Sequence, residues 1–302
     1  MLRSIAEFSM KGRWYAAIIT ALFSALALIL PPFIYIASGV ISLTTLRMGP
    51  REGLKVVSAA TVILFLIIGL LLNEFSAPGL VLVSSWLPIL AVTMVLGYTR
   101  SFANALLAAA GVGIVFVVGV YVFLSDPQMW WQNMMAPFMD MLSQQEGWQL
   151  DQSQTQAFMV SVSSMMTGLI AAGLTLNVVL GLIIGRSWQA KLYNPGGFAE
   201  EFYQIRLGKP VALISVLIVA ISTSPLGDGL SLVRECLPVM LAIFAIQGLS
   251  VVHSIVNQRQ KRSFWIVGVY ILLIVMMPQM MALLAVIGIL EQWLNFRKHS
   301  VE

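Results

Sequence analysis

The sequence predicts an all-α protein, a polytopic transmembrane helical bundle of about eight to ten membrane segments with both termini cytoplasmic. Three observations predict it. Hydrophobic residues fill 59% of the 302 positions, charged residues only 10%, and mean hydropathy is +0.90; a soluble domain carries about 25% charged residues. Apolar runs of spanning length recur along the chain, in place of the ~10-residue alternating segments of a membrane β-barrel. When the runs are threaded alternately, all 17 Lys and Arg residues except Arg234 fall on one side, as basic-residue-biased insertion produces.

The first run, Trp14 to Leu46, carries no charge and holds Pro31-Pro32 at its middle. As one helix it would measure about 50 Å against a hydrocarbon core of ~30 Å. Two prolines break it where a turn is needed. Two short helices in a hairpin, or a span followed by a re-entrant piece, both return the chain to Arg47, Arg51 and Lys55. The basic residues Arg3, Lys11 and Arg13 precede a run too long for the core of a signal peptide, so an uncleaved first span is expected.

Leu54–Leu72 then goes out, Leu80–Leu96 returns, Ala103–Leu124 goes out, and Phe158–Ile184 returns across an outer loop of residues 125–156. These six apolar segments form an N-terminal membrane block, residues 1–185. Residues 186–209 follow as a cytoplasmic loop with a short amphipathic helix. The C-terminal block, residues 210–302, has four segments: Val211–Ile221, Leu232–Ile255, and a hairpin of Phe264–Met277 and Met280–Leu294 around Pro278. The opposite side collects Glu74, Asp126, Asp140, Glu146, Asp151, Asp228 and Glu235. Collapsing only one of the two hairpins would place basic clusters on both sides.

The polar residues inside the spans are the candidate solute contacts. Ser84-Ser85-Trp86 opens a span just before Pro88, as pocket lining or as an interfacial aromatic belt. Asn177 shares a face with Gly173, Gly181 and Gly185; a lone amide there is costly unless paired, so it is interhelical glue or a ligand contact. Gln247, Ser250 and His253 share one sector of a helix. His253 has no carboxylate or second histidine at ligand spacing, so no metal is expected, and with a single cysteine, Cys236, neither is a disulfide. Arg234 and Glu235 form a local pair, with Arg234 snorkelling to the outer interface.

Three further stretches are candidates for surfaces. Ala17, Ala21 and Ala25 make a small-residue stripe that lets a helix approach closely, from this chain or from a separate membrane subunit. In the outer loop Trp130, Met134, Phe138 and Leu142 recur at helical spacing, an amphipathic helix on the outer leaflet or a lid over an outward cavity. In the cytoplasmic loop Asn194-Pro195-Gly196-Gly197 is a turn, and Glu200-Glu201 suits the start of a helix. Phe198, Phe202 and Ile205 give that helix an apolar face toward the membrane, and Arg206 and Lys209 end it. The helix fixes the next span or docks a partner; acidic residues at its start argue against a phosphate cradle.

No enzyme motif is present: no HExxH, GxSxG or Walker A, and no acidic cluster for Mg²⁺. No cofactor is expected, and the net charge of +4 reflects membrane topology, not nucleic-acid binding.

Three sets of residues resemble the YybS-like family of bacterial membrane proteins. They are Pro31-Pro32-Phe33 with Leu46 to Gly53, Asn194 to Phe198 with Glu201-Phe202 and Arg206 to Gly208, and Gln247 to His253. That family is distantly similar to substrate-capture subunits of energy-coupling-factor transporters and to MreD-like envelope proteins. The resemblance implies the bacterial inner membrane and gives Ala17, Ala21 and Ala25 the place of a coupling-subunit contact. More spans and a longer inner loop than capture subunits have set this chain apart from them. The expected function is binding or transport of a small hydrophobic or amphiphilic solute with a membrane coupling subunit. The alternative is a scaffold for envelope or cytosolic machinery.

Overall fold

A computed structural model describes residues 2–143, 151–260 and 264–298. Glu146, Lys261 and Arg262, which the charge pattern assigned to sides, lie outside the described residues, as do both chain ends. The described residues are helices and the turns between them, without a strand.

Helix α1 (Leu2–Ser9) leads into α2 (Arg13–Leu26, 14 residues) and α3 (Phe33–Met48, 16 residues). The first apolar run is therefore a hairpin of two short helices, with successive turn hydrogen bonds carrying the chain past Pro31 and Pro32. Gly49, at φ 96°, makes the sharp corner into α4 (Pro50–Leu72), a backbone region that glycine enters at little cost.

Helix α5 (Ser76–Thr99) widens into a π turn at Leu82–Trp86. The cause is Pro88, which has no N–H to donate and crowds the carbonyl four residues back. The Leu87 amide reaches the Leu82 carbonyl instead. The extra residue turns Ser85 and Trp86 together into the interior, where both are buried.

Next come α6 (Phe102–Phe123), α7 (Pro127–Ser143), α8 (Gln152–Ser163) and α9 (Met166–Tyr193). Here two sequence boundaries move. Phe158 does not belong to the returning span, because the chain breaks at Ser164-Met165 and α8 packs beside α7. At the other end α9 runs through Arg186, Trp188 and Lys191, so helix fills the first part of the 186–209 loop. In α7 the expected stripe of Trp130, Met134 and Phe138 is exposed, and Trp131 points inward to donate to Thr167 Oγ1 at 2.9 Å.

After α10 (Gly197–Tyr203) come α11 (Lys209–Ser222), α12 (Ser231–Gln258), α13 (Phe264–Val275) and α14 (Met277–Leu294). The last hairpin turns at Met276, and Pro278 sits inside the first turn of α14, where its missing N–H costs nothing. Among the described residues six helices are long and apolar enough to cross a membrane: α4, α5, α6, α9, α12 and α14; α2, α3, α11 and α13 are shorter apolar helices.

Two close helix pairs hold the bundle. Helix α3 lies on α9, with Gly181 against Ser38 and Gly185 against Ser42. Helix α12 lies on α14, where Gly248 meets the backbone of Leu284 and Gly288 meets that of Phe244. Lipid is as apolar as a leucine surface, so close van der Waals packing of small residues, more than burial, drives such pairing.

Candidate functional site: an aromatic cavity under α10

The candidate site is built where α9 stops. The Asn194 amide bonds to the Ala190 carbonyl, Pro195 follows, and Gly196 turns at φ 91° into α10. Phe198 and Phe202, four residues apart, lie on one face of α10. That face points into the protein and not toward lipid: Phe202, Ile205 and Leu207 belong to the main buried cluster. A chain of rings runs through it from Phe102 to Phe198 (5.7 Å), Phe202 (5.7 Å), His253 (5.6 Å) and Tyr270 (5.8 Å). His253 Nε2 and Tyr270 Oη lie 3.2 Å apart. Around them is a cavity of ≈ 250 Å³ lined by Leu180, Ile183, Phe198, Phe202, His253 and Tyr270, among others. Its apolar walls with one imidazole–phenol pair can hold an apolar body and fix it by a hydrogen bond.

A polar clamp holds α10 and the following strand of loop in place. Gln247, fully buried, accepts from the Leu207 amide at 2.8 Å and from Gln292 at 3.0 Å, and donates to the Gly288 carbonyl at 2.6 Å. Ser250 donates to the Phe202 carbonyl at 2.6 Å. Arg297 donates to the carbonyls of Tyr203 and Ile205 and pairs with the buried carboxylate of Glu291. Arg206 meets the same Glu291 oxygen at 3.2 Å and donates to Asn295 at 3.0 Å. Burial pushes the Arg297 pKa down, Glu291 pushes it up, and Arg206 adds to the lowering.

The other expected contacts lie elsewhere. In the bundle interior Asn177 Nδ2 donates to Ser85 Oγ at 2.9 Å, and Ser85 lies 3.2 Å from Ser38 Oγ. Trp86 Nε1 and Asn177 Oδ1 are buried with no hydrogen-bond partner among the described residues. Ser85 and Trp86 are packed in, and Ser84 is half-buried. Ala17 and Ala21 are fully buried in one cluster with Val57, Ala60 and Leu64 of α4, with Ala25 packed against it, so this chain's own helix covers the stripe. Glu235 is no simple partner of Arg234: its carboxylate accepts from the Gly168 amide at 2.5 Å and caps the start of α9, and Arg234 donates to the Ser164 carbonyl.

The structure thus brings His253, Phe198 and Phe202 to one cavity, Ser85 and Asn177 to an interior bridge, and Gln247 and Arg206 to the clamp. Sequence reasoning missed Tyr270 and Arg297. Tyr270 gives no signal within an apolar helix. For Arg297 a signal existed in Glu291, an ionisable residue in a spanning helix, which demands a partner.

No curated protein and no solved structure matches the chain. A family described as predicted membrane protein (DUF2232) matches residues 17–291. The chain belongs to this DUF2232 family of predicted membrane proteins.

Proposed function

We propose that this is a non-enzymatic multi-pass protein of a bacterial cytoplasmic membrane, termini inside, that binds a small hydrophobic or amphiphilic solute in the aromatic cavity under α10. The observation that carries the reading is the ≈ 250 Å³ space whose walls are mostly apolar and carry the His253–Tyr270 pair, with Tyr203 beside it. Resemblance to the YybS-like family, and through it to capture subunits, supports the same class of function. The close packing at Ser85, Trp86 and Gln247 favours the cavity at His253 over the bundle interior as the place for a solute. Partnership with a coupling subunit or envelope protein has less support at Ala17 and Ala21, which α4 covers.

The test is native mass spectrometry of the full chain released from mild detergent, for the wild type and for Ala199→Trp. Ala199 lines the cavity and is half-buried, so an indole there fills it. The wild type is expected to retain a small molecule that the variant lacks, with both melting alike. Equal retention by the two proteins sinks the reading. Recovery of envelope proteins with no retained small molecule favours the scaffold.

A further inference from the structure

A second cleft, of ≈ 330 Å³, lies on the other side of α10, between the ends of α3 and α5 and the last turns of α9. Arg100, Arg186, Gln189 and Glu201 line it with Leu46, Leu96 and Gly97. Arg186 forks onto Glu201 through Nε and Nη2 and donates to Gln189 at 3.0 Å. Arg100 has no side-chain hydrogen bond or ion pair among the described residues. Its backbone is left-handed, at φ 51°, at the C-cap of α5. Such a position suits Gly or Asn, and among the described residues Asn occupies two of the other three non-glycine positions of positive φ, Asn73 and Asn295. Arg100 is exposed on the cleft wall, so its guanidinium is open to a ligand, and backbone strain of this kind clusters at ligand clamps.

With two guanidinium groups and one carboxylate, the lining carries one net positive charge, matching a singly charged anion. Guanidinium presents paired donors to phosphate oxygens; the fork of Arg186 is held by Glu201, so Arg100 supplies the free pair. Leu46 and Gly97 also border an adjoining recess of ≈ 170 Å³ that includes Thr93, Met94 and Tyr98. A polar floor opening onto a largely apolar recess is the shape of a headgroup and the beginning of its chain.

We propose that this cleft binds a phosphate-bearing anion between Arg100 and Arg186, with the apolar part of the same molecule in the recess beside Thr93. This site does not rest on the aromatic cavity, and its failure is separable from that reading.

The full chain in neutral detergent is titrated by native mass spectrometry with phosphatidylglycerol, with diacylglycerol of the same chains, and with glycerol 1-phosphate. Arg100→Asn relieves the backbone and removes the charge. Gly97→Phe places a ring between cleft and recess, at a position where an added Cβ meets nothing within 4 Å. Phosphatidylglycerol is expected to bind and diacylglycerol not. Arg100→Asn should weaken binding about tenfold, the size of a charge-assisted contact. Gly97→Phe should abolish it, and Ala199→Trp should leave it unchanged. Binding of glycerol 1-phosphate, if lost in Arg100→Asn, identifies a soluble phosphate source; binding of the lipid alone identifies a headgroup. Equal binding of diacylglycerol, no binding of either phosphate compound, or lipid binding unchanged in Arg100→Asn overturns the proposal.

Discussion

Arg297 donates through Nη2 to the carbonyl of Ile205 at 2.9 Å, tying the turn after α14 to the loop after α10. The same guanidinium reaches the Tyr203 carbonyl, Ser250 Oγ and Glu291. Removing it leaves Glu291, fully buried, with only Arg206 as an ionic partner among the described residues. Breaking a buried pair from one side costs about 3–5 kcal/mol. Arg297→Ala should therefore destabilise the protein on that scale in denaturant titration and raise amide exchange across residues 203–207. An unchanged midpoint would show that the clamp contributes nothing.

The α12–α14 contact is a backbone contact. A Cβ at Gly248 would stand 1.9 Å from the Leu284 carbonyl oxygen, and one at Gly288 would stand 2.2 Å from that of Phe244. Gly248→Ala and Gly288→Ala should each lower stability by about 1–3 kcal/mol, the usual cost of overpacking. Gly119→Ala, which meets nothing within 4 Å, should stay within about 0.5 kcal/mol of wild type. Thermal melts of the three variants side by side check the contrast.

Glu235 caps α9 from another helix, sixty-seven positions away in sequence. Glu235→Ala orphans the Gly168 amide and should cost about 1–2 kcal/mol, the upper range for a lost N-cap. Glu235→Gln keeps an acceptor and should recover most of that loss. If both variants melt with the wild type, the carboxylate is no cap.

Helix α8 should be acid-sensitive. Asp151 closes a capping box with Gln154, and hydrogen bonds from the Gln154 amide and the Ser153 hydroxyl hold its carboxyl below the ordinary 3.8. A carboxylate with a depressed folded-state pKa stabilises above its unfolded value. That contribution is lost as pH falls from 3.8 through the lower folded value. Backbone NMR shifts of Gln152–Ser163 should show fraying in that window, and Asp151→Asn, which caps without titrating, should flatten the response.

Part of the candidate site was legible in advance. The Asn194-Pro195-Gly196 turn and the short helix after it follow from local backbone chemistry, and the apolar spacing of Phe198 and Phe202 gave that helix one face. The direction of that face was not legible. An apolar side chain looks the same in sequence whether it meets lipid or protein, so Phe202 read as membrane-facing and turned out to be core. The end of α9 was likewise misplaced, because a charged residue such as Arg186 does not stop a helix when Glu201 receives it.

The sequence by itself determined the helical membrane class and the proline-bounded hairpins, because hydropathy and chain breakers act locally along the chain. Only the tertiary structure decided which polar groups meet: Asn177 with Ser85, Gln247 with Leu207, Glu235 with Gly168, Arg297 with Ile205. Those pairings depend on which helices pack together and at what rotation. Small residues and close van der Waals contact set that choice in an apolar medium, and they leave little mark on the hydropathy of any single segment.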